Sequence, residues 1–301
     1  MSTGAAPLAD NPFPARPPDL GAHGASCPGP ELRDGYIAFA DRPDPPDSDG
    51  GVVLIAGRPN LGKSVLAHRC LHHYERAGRL PADLSARPAA DFARPADCLA
   101  LMRGADLPDE LRAALRDTVR DPLREAWDPD PVEAHRDLGR ALDGRAFAAR
   151  LPRPDPSLRP EAIAERVLGC ARAAAAANGS VYIFEFPYWE EAEWHRVREI
   201  VGRGPDAPLV TAVPLEPFTD RELMAFLHAR LGGAERLGAL LDLDPAVLLR
   251  ALARQRASIS PNNLTWFNVL CHRAFEAAIE SRAARVAVHH YLAAAVRTGA
   301  P

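Results

Sequence analysis

Apolar runs and amphipathic stretches alternate through the middle of the chain, a pattern that predicts strands interleaved with helices. Val52-Val53-Leu54-Ile55-Ala56 is apolar throughout and follows Gly50-Gly51, as expected of a strand buried on both faces. Val65, Leu66, Cys70, Leu71 and Tyr74 then fall on or near one helical face. Ala96 to Met102 reads as a further, weak strand, and Asp106 to Leu151 as charged, Ala/Leu-rich helices. A proline-studded break runs from Pro152 to Pro160, and Glu161 to Ala177 predicts a helix stopped by Asn178-Gly179. Val181 to Phe186 is a second buried-strand signature, with a helix over Trp189 to Val201 and a strand over Leu209 to Val213 after it. Thr219 as N-cap and Glu222 as the return partner of a capping box open the next helix. From there to the C-terminus the pattern is helical.

These elements predict an α/β fold with a parallel sheet sandwiched by helices and followed by a C-terminal helical lid. The expected organisation is a Pro/Gly-rich disordered tail over residues 1–30, a nucleotide-binding domain over 31–214 and a lid over 215–301. Within the middle domain, residues 105–160 are expected to form a helical insertion. Tyr36 to Ala40 alternates like a short strand ahead of a Pro/Asp loop.

One position carries most of the chemistry. Gly57-Arg58-Pro59-Asn60-Leu61-Gly62-Lys63-Ser64 fits the phosphate-binding pattern G-x-x-x-x-G-K-[ST] without a mismatch. Lys63 is the sole lysine among 36 Lys and Arg residues. An arginine fork is a poor substitute where a tightly wrapped loop needs a compact ammonium that reaches the β- and γ-phosphates. Strand, glycine loop and helix in that order aim backbone N–H groups and the helix dipole at an anion. Gly57, Asn60, Leu61, Gly62, Lys63, Ser64 and Val65 are therefore the expected ATP-binding residues, and the Ser64 hydroxyl is an expected Mg²⁺ ligand.

The second half of such a site is an apolar strand ending in an acid, and Glu185 stands there as the other expected Mg²⁺ ligand. The next residue is Phe186, so the place where a second acid would polarise water holds no base. Glu190 and Glu191 are the nearest alternatives. Thr211, in the following strand, is a candidate sensor of the γ-phosphate and is grouped with Glu185 as catalytic. His68 and His72 stand four apart but have no general-base Glu between them, which argues against metal chemistry. His289-His290 read as helix surface, and Trp189, Trp194 and Trp266 as core or interface anchors.

Net charge and cysteines narrow the class. A net charge of −4 argues against a surface built wholly for nucleic acid, while local Arg patches leave such a partner possible. Five scattered cysteines without a C-x-x-C pair read as reduced core thiols. No run approaches the roughly 18 apolar residues of a membrane span, so a cytoplasmic protein without a membrane partner is expected.

The phosphate loop, the acid strand, the Thr-bearing strand and the phrase Leu215-Glu216-Pro217-Phe218-Thr219-Asp220-Arg221-Glu222-Leu223 together resemble the AAA+ and STAND group of P-loop ATPases. Asn268 to Ala278 is similar to a lid helix of that group. The resemblance implies ATP and Mg²⁺ as ligands, an oligomer or protein partner, and a nucleotide-gated switch. Glu185-Phe186 in place of Asp-Glu, and Asn263 to Thr265 where a lid arginine is usual, imply weak or absent turnover. Hydrolysis stays open at this level. The alternatives are an active ATPase acting as a nucleic-acid-associated motor or loader, and a small-molecule kinase using Arg250, Arg254 and Arg256. A conventional GTPase is excluded, because its Asn/Thr-Lys-x-Asp motif needs a second lysine.

Overall fold

The computed structural model describes residues 8–13, 50–59, 61–87, 95, 97–119, 130–232, 239–242 and 264–298. Cys27, Tyr36 to Ala40, Asn60, Asn263 and Arg250, Arg254 and Arg256 lie outside these residues. The chain divides into two compact units, with Leu215 closing the larger one and Glu216 opening the C-terminal part of the other.

The larger unit is built on five parallel strands in the order β2-β3-β4-β1-β5. They are β1 (Gly51–Gly57), β2 (Leu80–Asp83), β3 (Phe147–Arg150), β4 (Val181–Pro187) and β5 (Val210–Leu215). The helices between them are α1 (Lys63–Arg76), α2 (Asp97–Arg103), α3 (Asp109–Thr118), α4 (Pro131–Ala141), α5 (Pro160–Ala176) and α6 (Glu191–Val201). β1 is buried along its whole length, which is why its sequence is apolar without alternation. Side-chain alternation sends Val52, Leu54, Ala56, Tyr182, Phe184 and Phe186 into one hydrophobic cluster with α5. Ile55 and its register partner Glu185 therefore point to the other face, where α1 packs against β1, β2, β3 and β4. The sheet with helices on its faces is the expected fold.

Three expectations need correction. Ala96 to Met102 is not a strand: Asp97–Arg103 is helical, and Cys98, Leu99 and Met102 are buried at helical spacing. The region over 105–160 is not simply a helical insertion, since it supplies β3 between β2 and β4. Its strand Phe-Ala-Ala-Arg has no β-branched residue and is only four residues long, so it carries little pattern. β2 is equally brief and contains Pro81, which an edge strand tolerates. The third correction concerns the tail, where residues 8–13 are docked on the other unit.

That unit contains α7 (Asp220–Leu231), α8 (Leu264–Glu280) and α9 (Val288–Thr298). Phe13 is 1% exposed, with its ring centroid 5.3 Å from Phe275 and 6.4 Å from Phe226. Asn11 donates from Nδ2 to the His272 carbonyl at 3.0 Å and to Glu276 Oε1 at 2.9 Å. A single buried aromatic anchors the segment, a signal that its Pro/Gly-rich surroundings conceal. The capping box at α7 forms as expected, Thr219 Oγ1 accepting from the Glu222 amide at 3.2 Å and Glu222 Oε2 from the Thr219 amide at 2.7 Å.

His135 on α4 shows how tightly the larger unit is packed. Its Nδ1 lies 2.7 Å from the Pro131 carbonyl and its Nε2 2.7 Å from the Tyr182 hydroxyl. A carbonyl can only accept, so Nδ1 carries the proton and Nε2 accepts from tyrosine. Burial pushes the imidazole pKa down to about 4. The unfolded imidazole titrates near 6.5, so between about pH 6.5 and 4 the unfolded chain binds a proton that the folded chain refuses. The stability that neutral His135 contributes is complete above that window and is lost as pH falls through it. Urea unfolding should show a loss of about 3 kcal/mol between pH 7 and pH 4, and His135→Gln should flatten that slope.

Candidate functional site

The register of β1 and β4 determines where the site lies. Gly57 pairs with Pro187 and Ile55 with Glu185, so the end of the glycine-loop strand and the acid arrive at the same edge of the sheet. Gly62 adopts φ +85°, a conformation open to glycine, as the chain turns into α1. Leu61 is buried and Val65 half-buried on either side of the Lys63-Ser64 pair.

Lys63 is 7% exposed, and its ammonium donates to the Gly57 carbonyl at 2.8 Å and the Arg58 carbonyl at 2.6 Å. The ammonium thus folds back over the loop that it would share with a phosphate chain. Burial lowers its pKa from 10.5 to about 8; Glu185 raises it and Arg153 lowers it further. The opposed influences identify the groups that share the lysine's field.

Glu185 is entirely buried, and four donors surround it. Arg150 at the end of β3 gives Nε and Nη2 to Oε1 at 3.1 and 2.6 Å. Ser64 donates its hydroxyl to Oε2 at 2.9 Å. Arg153 places Nε 3.5 Å from Oε2 and donates from Nη2 to Ser64 Oγ at 2.5 Å. Arg150 also reaches Asp83 Oδ2 at the end of β2, 3.4 Å away. The end of β3, the segment just after it and the start of α1 thus converge on one carboxylate of β4, with Asp83 of β2 joined to it through Arg150.

The fold of P-loop ATPases implies a divalent cation between Ser64 and Glu185, and the two side chains are indeed adjacent. Most of their lone pairs, however, are already committed. A carboxylate offers about four acceptor positions; two Arg150 nitrogens and the Ser64 hydroxyl take three, and the Arg153 guanidinium lies 3.5 Å from Oε2 beside the fourth. Mg²⁺ would have to sit about 2.1 Å from Ser64 Oγ, beside a guanidinium held on that same oxygen. The donor set as arranged does not fit the ion.

The remaining sequence candidates are more dispersed. Thr211 pairs with Val53, whereas Gly57 pairs with Leu215. At about 3.3 Å per residue, Thr211 is roughly 13 Å along the sheet from the loop end, too far for a side chain to sense a phosphate there. Its place as a catalytic residue is withdrawn, because β5 enters at the opposite end of β1. Phe186 packs with Tyr188 and Trp194 in an aromatic group, its centroid 6.0 and 6.4 Å from theirs. Glu191 pairs with Arg58 at 3.3 Å, both half-exposed, and Glu190 is exposed at the start of α6. His72 is bonded to Glu75 at 2.8 Å, and among the described residues no group of three or more His, Cys, Asp or Glu could hold a metal.

Arg150, Arg153 and Asp83 were not foreseen. In a chain this rich in arginine, no local pattern separates those two from the others. Only the placement of β3 beside β4 does so.

No protein-family profile matches the chain, and comparison with curated proteins finds no significant match. Solved structures do match. A chain of Drosophila ORC bound to DNA aligns at 14% identity over 100% of this chain and 70% of its own, with a TM-score of 0.51. Cdc6p from Pyrobaculum aerophilum aligns at 14% over 98% and 72%, with a TM-score of 0.50. The Aeropyrum pernix ORC2 protein in its ADPNP-ADP complexes gives 13% over 96% and 70%, with a TM-score of 0.49. The first two likenesses show the fold alone, an α/β P-loop fold.

The Arg150–Glu185 pair should behave as a buried ion pair, costly to break and cheap to replace whole. Arg150→Ala should cost about 3–5 kcal/mol in chemical denaturation, and Arg150→Met with Glu185→Leu should recover most of that loss. A double-variant loss equal to the sum of the Arg150→Ala and Glu185→Leu losses would show that the two side chains do not depend on each other.

Proposed function

We propose that the chain is an ATP-binding regulatory switch of AAA+/STAND character with weak or absent hydrolysis. The observation that carries this reading is the cluster of Lys63, Ser64 and Glu185 at one sheet edge, with Phe186 in the place next to the acid. Lys63 and the start of α1 would bind the phosphates, drawing the ammonium off the Gly57 and Arg58 carbonyls. Ser64 and the arginines would orient the chain of phosphates. Phe186 is buried among aromatics where a general base would have to stand, so no group of this kind takes a proton from water. Binding without turnover suits a switch, whose conformational shift can be only as large as the nucleotide's differential affinity for the two states. A protein partner or a second copy of the chain would read that shift.

A second reading is a nucleic-acid-associated loader, and it is supported by the likeness to ORC, there seen bound to DNA. The net charge of −4 weighs against a broad nucleic-acid face. It would also need a proton acceptor and a charge-stabilising arginine supplied by another subunit.

Binding and turnover measured side by side separate the two. The switch reading expects ATP binding in the micromolar range of about −8 kcal/mol, lost in Lys63→Ala, with no Lys63-dependent phosphate release. Phosphate release that Lys63→Ala abolishes and DNA accelerates would favour the loader. Failure of the intact chain to bind ATP would remove both.

A further inference from the structure

We infer that the phosphate site of this chain works without a divalent cation, because Arg153, backed by Arg150, supplies the positive charge that Mg²⁺ would otherwise bring. The inference rests on the nucleotide-binding reading and concerns how the same site is completed.

Three observations converge. First, the guanidinium of Arg153 is bonded to Ser64 Oγ at 2.5 Å and sits 3.5 Å from Glu185 Oε2, between the two side chains that would otherwise hold a metal. Second, Arg150 is 5% exposed and saturates Glu185 Oε1 with two donors, while Asp83 on β2 engages its remaining nitrogen. Turning that oxygen toward an ion would break both bonds of a buried guanidinium. Third, the cations Lys63, Arg150 and Arg153 face the two carboxylates Glu185 and Asp83, which leaves the pocket positive before any metal is counted.

The division of labour follows from exposure. Arg150 is buried and holds the acid in place. Arg153 is 63% exposed, so its side chain is available to an incoming phosphate while its stem stays at the rim. A planar guanidinium can hold two phosphate oxygens at once, in the manner of a bidentate clamp. Mg²⁺ would have to expel it from Ser64 at a cost in like-charge repulsion. Mg²⁺ also gives up water reluctantly and prefers free carboxylate or phosphate oxygens.

The test is calorimetric titration of ATP into the full chain, once with excess EDTA and once with excess Mg²⁺. The inference predicts the same affinity in both to within about twofold. It further predicts that Arg153→Ala weakens binding in EDTA by about tenfold or more and that Mg²⁺ restores much of that loss. Because Arg153 is exposed, circular dichroism of Arg153→Ala should match wild type, keeping a folding defect apart from a binding one. Wild-type binding that needs Mg²⁺ overturns the inference and leaves the nucleotide reading standing. A flat titration in both buffers sinks the nucleotide reading, and the inference falls with it.

Discussion

A carboxylate shut away from water must be met by donors on every side, and Glu185 sets that requirement for the whole site. Leaving such a group unpaired would cost several kcal/mol. Meeting it fixes the sheet: β3 must lie beside β4 so that Arg150 can reach across, and β2 must lie beside β3 so that Asp83 can steady the arginine. The same carboxylate draws in the Ser64 hydroxyl and so sets the start of α1. The strand order, the loop and the first helix are therefore linked through one buried ion-pair network. Its polar side chains sit on the sheet face opposite the aliphatic and aromatic cluster, which leaves that cluster free of uncompensated charge.

Lys63 answers a different constraint. The ammonium is compact enough to fold onto two carbonyls of its own loop, where a guanidinium would need more room and a planar set of partners. Burial depresses its pKa to about 8, so the free loop holds its charge with little margin at neutral pH. An approaching polyphosphate restores the field that burial removed, which couples anion binding to retention of the proton. Arg153 and Glu185 act on the ammonium in opposite senses, so each member of the cluster tunes the next. Chemistry beyond binding would need a proton acceptor, and the residues next to Glu185 in sequence are spent on aromatic packing.

Much of the fold could be read from the chain because β1 is wholly apolar, β4 is apolar but for Glu185, and both are long and flanked by clear helix signals. Asn178-Gly179, with φ of 54° and 72°, ended α5 where the sequence placed the stop. The capping box at Thr219 was equally plain. The short strands were not, since Leu-Pro-Ala-Asp and Phe-Ala-Ala-Arg carry neither alternation nor β-branched residues, and only the sheet confers their structure. The loop half of the site was visible because G-x-x-x-x-G-K-[ST] is local in sequence. Arg150 and Arg153 were not, because their meaning depends on which strand lies next to β4. Thr211 misled for the same reason: its distance from the loop depends on register, which strand spacing alone does not reveal. Phe13 shows the limit of composition, for one aromatic in a Pro/Gly-rich stretch is enough to dock a segment.

The central claim, that this loop closes on a nucleoside triphosphate, can be read at Lys63 itself. As the chain's only lysine, it gives a single side-chain resonance when lysine is isotopically labelled, and that resonance can be titrated with pH in the presence and absence of ATP. The account predicts a midpoint near 8 for the free chain and a rise of about one unit or more at saturating ATP, as the phosphates favour the charged amine. A midpoint that ATP leaves unmoved would contradict it.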